Sequence, residues 1–339
     1  MENRYRILWI LALSALLLGV GASCEKKEEE EEEKLYMSGF VDYDIPAFVG
    51  IGETITLTAS GITEPSEVEY KWYFGASYND TLSARTVTVT FPDSLGTFAI
   101  IGIAVAPGYY NSSATQHVTT VDIGREKSLK GLKYSDKVFV DTRDGIEYEY
   151  VKIGNLDWFV RNLAYYKKGS AFQHSPITHT IFGRFYTWEE ATGGKSASGL
   201  GCGPQGVCPK GWSIPTNEDW VDLATAVSGK QMAFVDNWEG LGDKLSVDAR
   251  FNGERIWPYS PDNPHSNIVG WNALPMGNTQ YGHSLFRGFN EYAFWWSSTQ
   301  KNETQSYYRY IHKESPLFPM NFTSKEHFGA SIRCVRLAK

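Results

Sequence analysis

The stretch Cys208-Pro-Lys-Gly-Trp-Ser-Ile-Pro-Thr216, followed at once by a helix-like segment, decides the fold of the C-terminal half of the chain. Thr216 is a residue type that caps helix N-termini, and Glu218 and Asp219 place negative charge in the first turn, which suits the helix dipole. The apolar residues after Thr216 then recur at positions i, i+3, i+4 and i+7, so the helix has one apolar face. We therefore predict a helix that begins after Thr216 and ends at Gly229. Its apolar face consists of Trp220, Leu223, Ala224 and Val227.

Further elements lie on both sides of this helix. Asp144-Gly145 stands between the alternating runs Val138–Arg143 and Glu147–Gly154, and an Asp-Gly pair in that position predicts a β-hairpin. Thr187 to Ala191 predicts a second, shorter helix. The alternating tyrosines of residues 307–310 predict a strand with one exposed face.

The same stretch is one of several motifs spread over residues 138–339. The motifs are Asp141-Thr-Arg-Asp-Gly145, Asn162-Leu163, Gly183-Arg-Phe-Tyr-Thr-Trp188, Cys208–Thr216, Ala273-Leu-Pro-Met-Gly277, Trp295-Trp-Ser-Ser-Thr299 and Ser331-Ile-Arg-Cys-Val-Arg336. Because these motifs occur in the order that the family shows, the segment resembles the Fibrobacter succinogenes major paralogous domain. Arg161 stands where that family usually has Glu.

The resemblance implies an α+β domain with long ordered loops, related to the C-type-lectin and formylglycine-generating-enzyme folds. It also implies a Cys208–Cys334 disulfide, since the cysteines of those two motifs recur together. Closing so long a loop contributes ~4–5 kcal/mol in the chain-entropy model. The alternative is a Cys202–Cys208 bridge, which closes a small Gly-rich loop and leaves Cys334 free, and sequence alone leaves both open.

Residues 35–124 predict an all-β, immunoglobulin-like or PKD-like sandwich. Glu53–Ala59 alternates, with apolar residues on one face and Thr on the other, and period-2 runs of this kind separated by turn residues are typical of antiparallel sheets. Similar runs follow at Val68–Phe74, Val87–Phe91 and Phe98–Val105, with Trp72 expected at the centre of the core. Residues 125–137 are then expected to be a linker.

The N-terminus indicates export and lipid anchoring. Arg4 and Arg6 precede an apolar run from Ile7 to Val20, which is too short to span a bilayer but has the length of a signal-peptide core. Small residues before Cys24 resemble a bacterial lipoprotein cleavage box, the alternative being ordinary cleavage. We therefore expect a signal peptide over residues 1–23, lipidation of Cys24, and an acidic linker over residues 24–34.

The sequence of the acidic linker indicates in which cellular compartment the protein is found. Lys followed by a run of Glu just after the lipid-bearing Cys resembles the surface-export signal of Bacteroidetes lipoproteins, although a plain solvated stalk has the same composition. We expect a cell-surface-exposed lipoprotein of the outer membrane, whose first partner is the membrane itself. The chain carries a net charge of −7 and has no basic stripe, which argues against nucleic acid.

The sequence contains no recognisable catalytic motif, no phosphate loop and no acid–base pair. His174 and His179 have the wrong spacing for two metal ligands on one helical face. Asp262 and Asn263 are oxygen donors that calcium accepts, but a Pro-rich turn explains them better. We expect neither a cofactor nor a metal, and structural calcium has no support.

Two sets of residues are candidates for recognition or modification. Thr81 and Ser94 lie in Asp-Thr-Leu and Asp-Ser-Leu triplets, which resemble the acceptor for O-glycosylation in Bacteroidetes. Aromatic residues in the Pro- and Gly-rich loops are of the type that stacks on sugars, although packing explains each of them as well. These aromatic residues are Trp257, Tyr259, Trp271, Tyr281 and Phe289. The core is expected to contain Trp158, Trp188, Trp212, Trp295 and Trp296.

Together these patterns favour a non-catalytic surface lipoprotein, in which a sandwich module spaces a binding or adhesion domain from the membrane. Its ligand would be a glycan or a protein. The alternative is a structural subunit of a surface assembly, and a carbohydrate-active enzyme is the least favoured reading because no catalytic constellation is visible.

Overall fold

A computed structural model of the protein describes residues 33–75, 77–124, 127–232 and 237–339. The fold is rich in β-structure, with 43% strand and 10% helix. The expected signal peptide, Cys24 and most of the acidic linker lie outside the described residues, as does the side chain of Thr81. No helix in the described ranges is long and apolar enough to cross a membrane.

The N-terminal module is built entirely from strands. Its main sheet has the order β2-β9-β8-β5-β6, and two antiparallel pairs, β1-β4 and β3-β7, accompany it. The strands described here are β1 (Ser38–Asp42), β2 (Phe48–Gly50), β3 (Thr54–Thr58), β4 (Ser60–Glu64), β5 (Glu69–Phe74), β6 (Ser77–Ser83), β7 (Thr86–Thr90), β8 (Gly96–Val105) and β9 (Ser112–Val121).

One core joins the main sheet to the β3–β7 pair. Leu57 and Val87 on that pair share a buried cluster with Trp72 and Ile100 of the sheet. Trp72 is fully buried, and its indole N–H donates to the Ala84 carbonyl. The four predicted strands and the central tryptophan are therefore confirmed.

The C-terminal region forms several small sheets. Their orders are β10-β18-β19, β11-β12-β13-β26, β14-β15-β25-β20-β21, β16-β17 and β22-β23-β24. The strands up to residue 255 are β10 (Leu129–Lys130), β11 (Val138–Val140), β12 (Glu147–Ile153), β13 (Leu156–Phe159), β14 (Ser170–Ala171), β15 (Arg184–Thr187), β16 (Lys230–Met232), β17 (Asn237–Glu239), β18 (Arg250–Phe251) and β19 (Glu254–Arg255). Those after it are β20 (Asn278–Gln280), β21 (Leu285–Arg287), β22 (Tyr292–Gln300), β23 (Gln305–His312), β24 (Met320–Ser324), β25 (Phe328–Ala330) and β26 (Val335–Leu337).

The predicted hairpin and tyrosine strand are both present. Strands β11 and β12 pair antiparallel around the Asp144-Gly145 turn, which confirms the hairpin. Strand β23 carries the alternating tyrosines, but Tyr308 and Tyr310 are partly buried against a hydrophobic cluster, so the expectation of an exposed face was wrong. The reason is that β23 is the middle strand of its sheet and packs against Phe294 and Phe328.

Helices are few and short. Both predicted helices occur, and each has a capping box, formed by Thr187 with Glu190 and by Thr216 with Asp219. The helices are α1 (His179–Phe182), α2 (Trp188–Thr192), α3 (Asn217–Ala226) and α4 (Leu241–Leu245), and 3-10 turns cover Phe172–His174 and Pro176–Thr178.

Helix α3 ends earlier than predicted. Ser228, with φ at +61°, occupies the left-handed position after the helix that we had assigned to Gly229. Gly229 serves a different purpose, because a Cβ there would lie 1.7 Å from the Leu241 side chain. The glycine therefore allows the chain to pass close to α4.

The expected tryptophan core is confirmed. Trp158, Trp188, Trp212, Trp295 and Trp296 are all buried, in two hydrophobic clusters of the C-terminal region. The Cys208–Cys334 disulfide is also confirmed, with a Cα–Cα distance of 5.9 Å, and it lies within the second cluster. Cys202 is a free, exposed thiol, so the alternative Cys202–Cys208 bridge was wrong.

The two modules pack directly on each other. The backbone N–H of Phe48 in β2 donates to the Ser175 hydroxyl at 3.0 Å, and its ring contacts Phe172 and Phe251. The Asn252 side-chain amide donates to the Thr120 carbonyl at 2.8 Å. The expected linker is itself part of this packing, because Leu129 is buried and β10 pairs with β18.

Candidate functional site

A cavity of about 240 Å³ lies where the inter-module segment crosses the C-terminal region. One wall comes from residues 122–124 and 129–134, and the opposite walls come from strand β12, the turn after β13, and helix α1. Aliphatic and aromatic side chains such as Leu132, Ile181 and Leu274 line it together with charged and amide groups. Apolar walls with a few placed polar groups are typical of small-molecule sites.

Asn272 fastens the inter-module wall in place. Its side-chain oxygen accepts from the Lys133 backbone N–H at 2.9 Å, and its side-chain nitrogen donates to the Lys133 carbonyl at 2.6 Å. Asn267 supports it, donating from its amide to the same Asn272 oxygen and accepting from the Asn272 N–H. Because one amide pairs with both backbone groups of Lys133, the position of that wall is set by Asn272.

Arg333 forms the floor of the cavity and is fully buried. Its Nε donates to the Asn162 side-chain oxygen at 2.9 Å, and its terminal nitrogens donate to the carbonyls of Phe159, Trp271 and Asn272. The guanidinium also lies 4.4 Å from the Trp271 ring centroid. Within the described residues, no carboxylate lies at ion-pair distance from it.

Five more charged side chains line the cavity, namely Asp122, Lys133, Glu147, Glu149 and Arg161. The Arg161 guanidinium lies 5.2 Å from the Tyr148 ring centroid, and within the described part of the chain no carboxylate is at ion-pair distance from it. Burial lowers the pKa of Arg333 well below its usual value, and the charge of Arg161 lowers it further. The two arginines are therefore close enough to repel each other.

The aromatic residues proposed from sequence as sugar platforms do not form one surface. Trp257 and Trp271 are completely buried, which corrects their assignment as platforms, because neither ring face is open to a ligand. Phe289 packs against Phe172 with ring centroids 4.7 Å apart. Tyr259 and Tyr281 are exposed, at 76% and 66% of their surface.

The remaining sequence candidates are dispersed. Asn263 is buried and donates to the His312 carbonyl, whereas Asp262 is exposed, so the two do not converge as calcium ligands. Among the described residues, no group of three or more His, Cys, Asp or Glu is placed to hold a metal ion. Ser94 is exposed on the N-terminal module, and its glycosylation stays a prediction.

Sequence reasoning missed a polar cluster at the start of helix α2. His283, with φ at +69°, donates from Nε2 to the Glu190 carboxylate at 2.8 Å, and its Nδ1 lies 2.8 Å from the Thr279 hydroxyl oxygen. Burial raises the pKa of Glu190, but the hydrogen bonds from His283 and the Thr187 N–H outweigh it and leave that pKa below its usual value. Since 93 residues separate Glu190 from His283, no local pattern could have paired them.

Comparison with known proteins identifies the C-terminal region. The model of the Fibrobacter succinogenes major domain matches residues 151–336, which is more than half of the chain. The chain belongs to the Fibrobacter succinogenes major domain family. The matched residues include Arg161, Asn162, Asn272 and Arg333, whereas the wall from residues 122–124 and 129–134 and the two cavity glutamates lie before them. The cavity therefore forms between the Fibrobacter succinogenes major domain and the segment that precedes it.

The other comparisons add little. No curated protein matches the chain. A single-residue variant of the superoxide reductase (neelaredoxin) from Ignicoccus hospitalis aligns at 12% identity over 25% of this chain and 82% of that chain, with a TM-score of 0.19.

Proposed function

We propose that this protein is a non-catalytic, surface-exposed lipoprotein that binds a ligand in the cavity between its inter-module segment and its Fibrobacter succinogenes major domain. The observation that carries the proposal is the cavity itself, in which aliphatic walls meet Arg161 and Glu147. The tryptophans of the family motifs are buried in the core, where they pack against other side chains. We therefore expect a ligand to be bound by the side chains that line the cavity.

We further propose that the C-terminal domain has a C-type-lectin-like fold and that the N-terminal module is immunoglobulin-like. Support for the first is the combination of small sheets, two short capped helices and long loops tied by one disulfide. Support for the second is a five-stranded sheet and a strand pair sharing one core around Trp72. With lipidation at Cys24, the module would carry the domain outward from an outer-membrane anchor.

A glycan array followed by calorimetry on the purified full chain tests the binding function. We expect at least one host or dietary glycan to bind, and we expect Asn272→Ala to weaken that binding because it releases the wall at Lys133. The matched control is Asn302→Ala, since Asn302 is an exposed turn residue outside the cavity. Absence of any glycan hit would refute the carbohydrate form of this proposal.

A second candidate function is a structural subunit of a surface assembly. It is favoured by exposed aromatic residues on the N-terminal module, where the Tyr36 and Tyr110 rings lie 5.0 Å apart and Phe40 is 84% exposed. Large exposed apolar side chains placed together are typical of protein contacts. Affinity purification from native outer membranes tests it, because a subunit recovers stoichiometric partners that Tyr36→Ser with Tyr110→Ser loses, whereas recovery of monomer alone contradicts it.

A further inference from the structure

We infer that one end of the N-terminal module rests on the lipid surface of the membrane that anchors the chain. The surface concerned, called here the basal patch, consists of Leu35, Tyr36, Phe40 and Tyr110. The inference goes beyond ligand binding in the cavity, but it rests on the lipid anchor at Cys24 that is part of the proposed function. It is argued from the exposure of these side chains, their place on the module, the length of the linker, and the charges around them.

The basal patch consists of large apolar side chains that the fold leaves open to solvent. Tyr36 is 82% exposed and Phe40 is 84% exposed, and Leu35 and Tyr110 are exposed as well. Backbone hydrogen bonds of 2.9 and 2.8 Å tie Leu35 to Gly108 and Tyr110, and they bring the Tyr36 ring to 5.0 Å from the Tyr110 ring. Large apolar side chains gathered on a surface mark contacts with another protein or with a membrane.

Tyr36 and Phe40 lie on the same, outward face of this segment. Burial alternates along it, since Met37 and Val41 belong to the core of the module whereas Tyr36 and Phe40 are exposed. Tyrosine is enriched where a membrane meets water, because its ring is apolar and its hydroxyl is polar, and phenylalanine and leucine side chains bury themselves in the same boundary. The residue types of the basal patch are therefore those that a lipid surface accepts.

The basal patch lies at the end of the module that faces away from the family domain. Tyr110 comes two residues before Ser112, the first residue of β9, and the Ser112 hydroxyl accepts from the Val41 N–H at 3.1 Å. At the other end of β9, the Thr120 carbonyl accepts from Asn252 of the family domain. Because the ten residues of β9 span about 30 Å, the patch and the family domain are held at opposite ends of the module.

The linker joins the module at this same end. Cys24 and Leu35 are 11 positions apart, and a fully extended chain of that length covers at most about 40 Å. A lipid at Cys24 therefore keeps the basal patch within about 40 Å of the headgroups, which raises its effective concentration at the surface. The rings that favour an assembly subunit are thus placed where the anchoring membrane is the nearest partner.

The charges around the basal patch decide which lipid it fits. The Lys34 ammonium lies 6.0 Å from the Tyr110 ring centroid, but Asp42 on β1 and Glu64 on its partner strand β4 are exposed. The linker adds an unbroken run of glutamates, Glu28–Glu33. Carboxylates repel anionic headgroups, so the contact is an apolar one and fits neutral or zwitterionic lipid.

Fluorescence of the lipidated full chain in phosphatidylcholine vesicles tests the inference, with brominated lipid as the quencher of indoles that reach the bilayer. We expect brominated lipid to remove at least half of the emission that Phe40→Trp adds to that of the unaltered chain. The matched control is Tyr259→Trp, which alters an exposed aromatic residue of the family domain. The emission that this control adds should not change with brominated lipid.

A second pair of variants tests whether the patch inserts as a unit. In the Phe40→Trp background, Tyr36→Ser with Tyr110→Ser should remove most of the quenching, because two of the inserting rings are lost. The control pair, Tyr259→Ser with Tyr281→Ser in the same background, should leave the quenching unchanged, since both tyrosines are exposed on the family domain.

Equal quenching for Phe40→Trp and Tyr259→Trp would overturn the inference. Protein partners that Tyr36→Ser with Tyr110→Ser loses, without any quenching of Phe40→Trp, would also overturn it and would assign the patch to a protein contact. In both cases, glycan binding that depends on Asn272 would leave the proposed binding function standing. A Cys24 without lipid in mass spectrometry would overturn the proposed anchor and this inference together.

Discussion

At the level of single residues, the hydrogen bonds of the buried Arg333 have a direct consequence for the stability of the fold. Four hydrogen bonds from one buried side chain join the turn after β13, the loop before Ala273 and the end of the chain. No aliphatic side chain can replace those donors, and each acceptor left buried without a partner costs about 1–3 kcal/mol.

We therefore expect Arg333→Met to lower the free energy of unfolding by at least about 3 kcal/mol, because it keeps the bulk but leaves the acceptors unpaired. Urea denaturation measures the change. Arg287→Met, on an exposed strand position, should stay within about 0.5 kcal/mol of the unaltered chain. A loss below about 1 kcal/mol at Arg333 would show that water replaces the guanidinium.

A second prediction for a single residue concerns how the stability of the fold depends on pH. The folded-state pKa of Glu190 is lowered from 4.5, so its contribution to stability is present above that value and is lost as the pH falls through the folded-state pKa. Unfolding measured between about pH 3 and 6 should show this acid loss. Glu190→Gln should flatten that part of the profile, whereas Glu314→Gln, an exposed carboxylate, should leave it unchanged.

At the element scale, local rules were enough to predict α3, the β11–β12 hairpin and the alternating strands of the N-terminal module. They were not enough for β9, whose Ser- and Thr-rich sequence lacks an alternating apolar pattern although it pairs along β8. The candidate site likewise contains some residues that the sequence marked and others that only the structure brings together. Arg333 and Asn162 were recognised as motif residues, but Asn272, Arg161 and Lys133 meet only through long-range packing, which no sequence periodicity encodes.

For a single element, we predict the effect of removing the capping box of α3 on the stability of the protein. The Thr216 hydroxyl accepts from the Asp219 N–H and donates to the Gly199 carbonyl, so Thr216→Ala removes both bonds in a buried setting. We expect a loss of about 1–2 kcal/mol in the free energy of unfolding. Thr216→Ser keeps the hydroxyl and should lose much less, and equal losses for the two variants would assign the effect to the methyl group.

For the whole molecule, the disulfide is the largest single covalent constraint. Cys208 and Cys334 are 126 positions apart, and closing a loop of that length contributes about 5 kcal/mol in the chain-entropy model. We expect Cys334→Ser to lower the free energy of unfolding by ~2–5 kcal/mol. Cys202→Ser is the control and should leave stability unchanged, because that thiol is exposed and forms no disulfide.

Peptide mass spectrometry after alkylation supplies the chemical check. In the unaltered chain, the alkylating reagent should label Cys202 and leave Cys208 and Cys334 unlabelled until reduction. Labelling of all three without reduction would contradict the bridge in the protein as it is made.

The pairing of strand β13 with β26 has a consequence for the order of folding. Leu156–Trp158, near the start of the family domain, takes its second hydrogen-bonded neighbour from Val335–Leu337, near the other end of that domain. This sheet therefore cannot close before the segment around Val335 is available. A chain truncated before Val335 would leave one edge of β13 unpaired, and an open strand edge invites pairing with other chains.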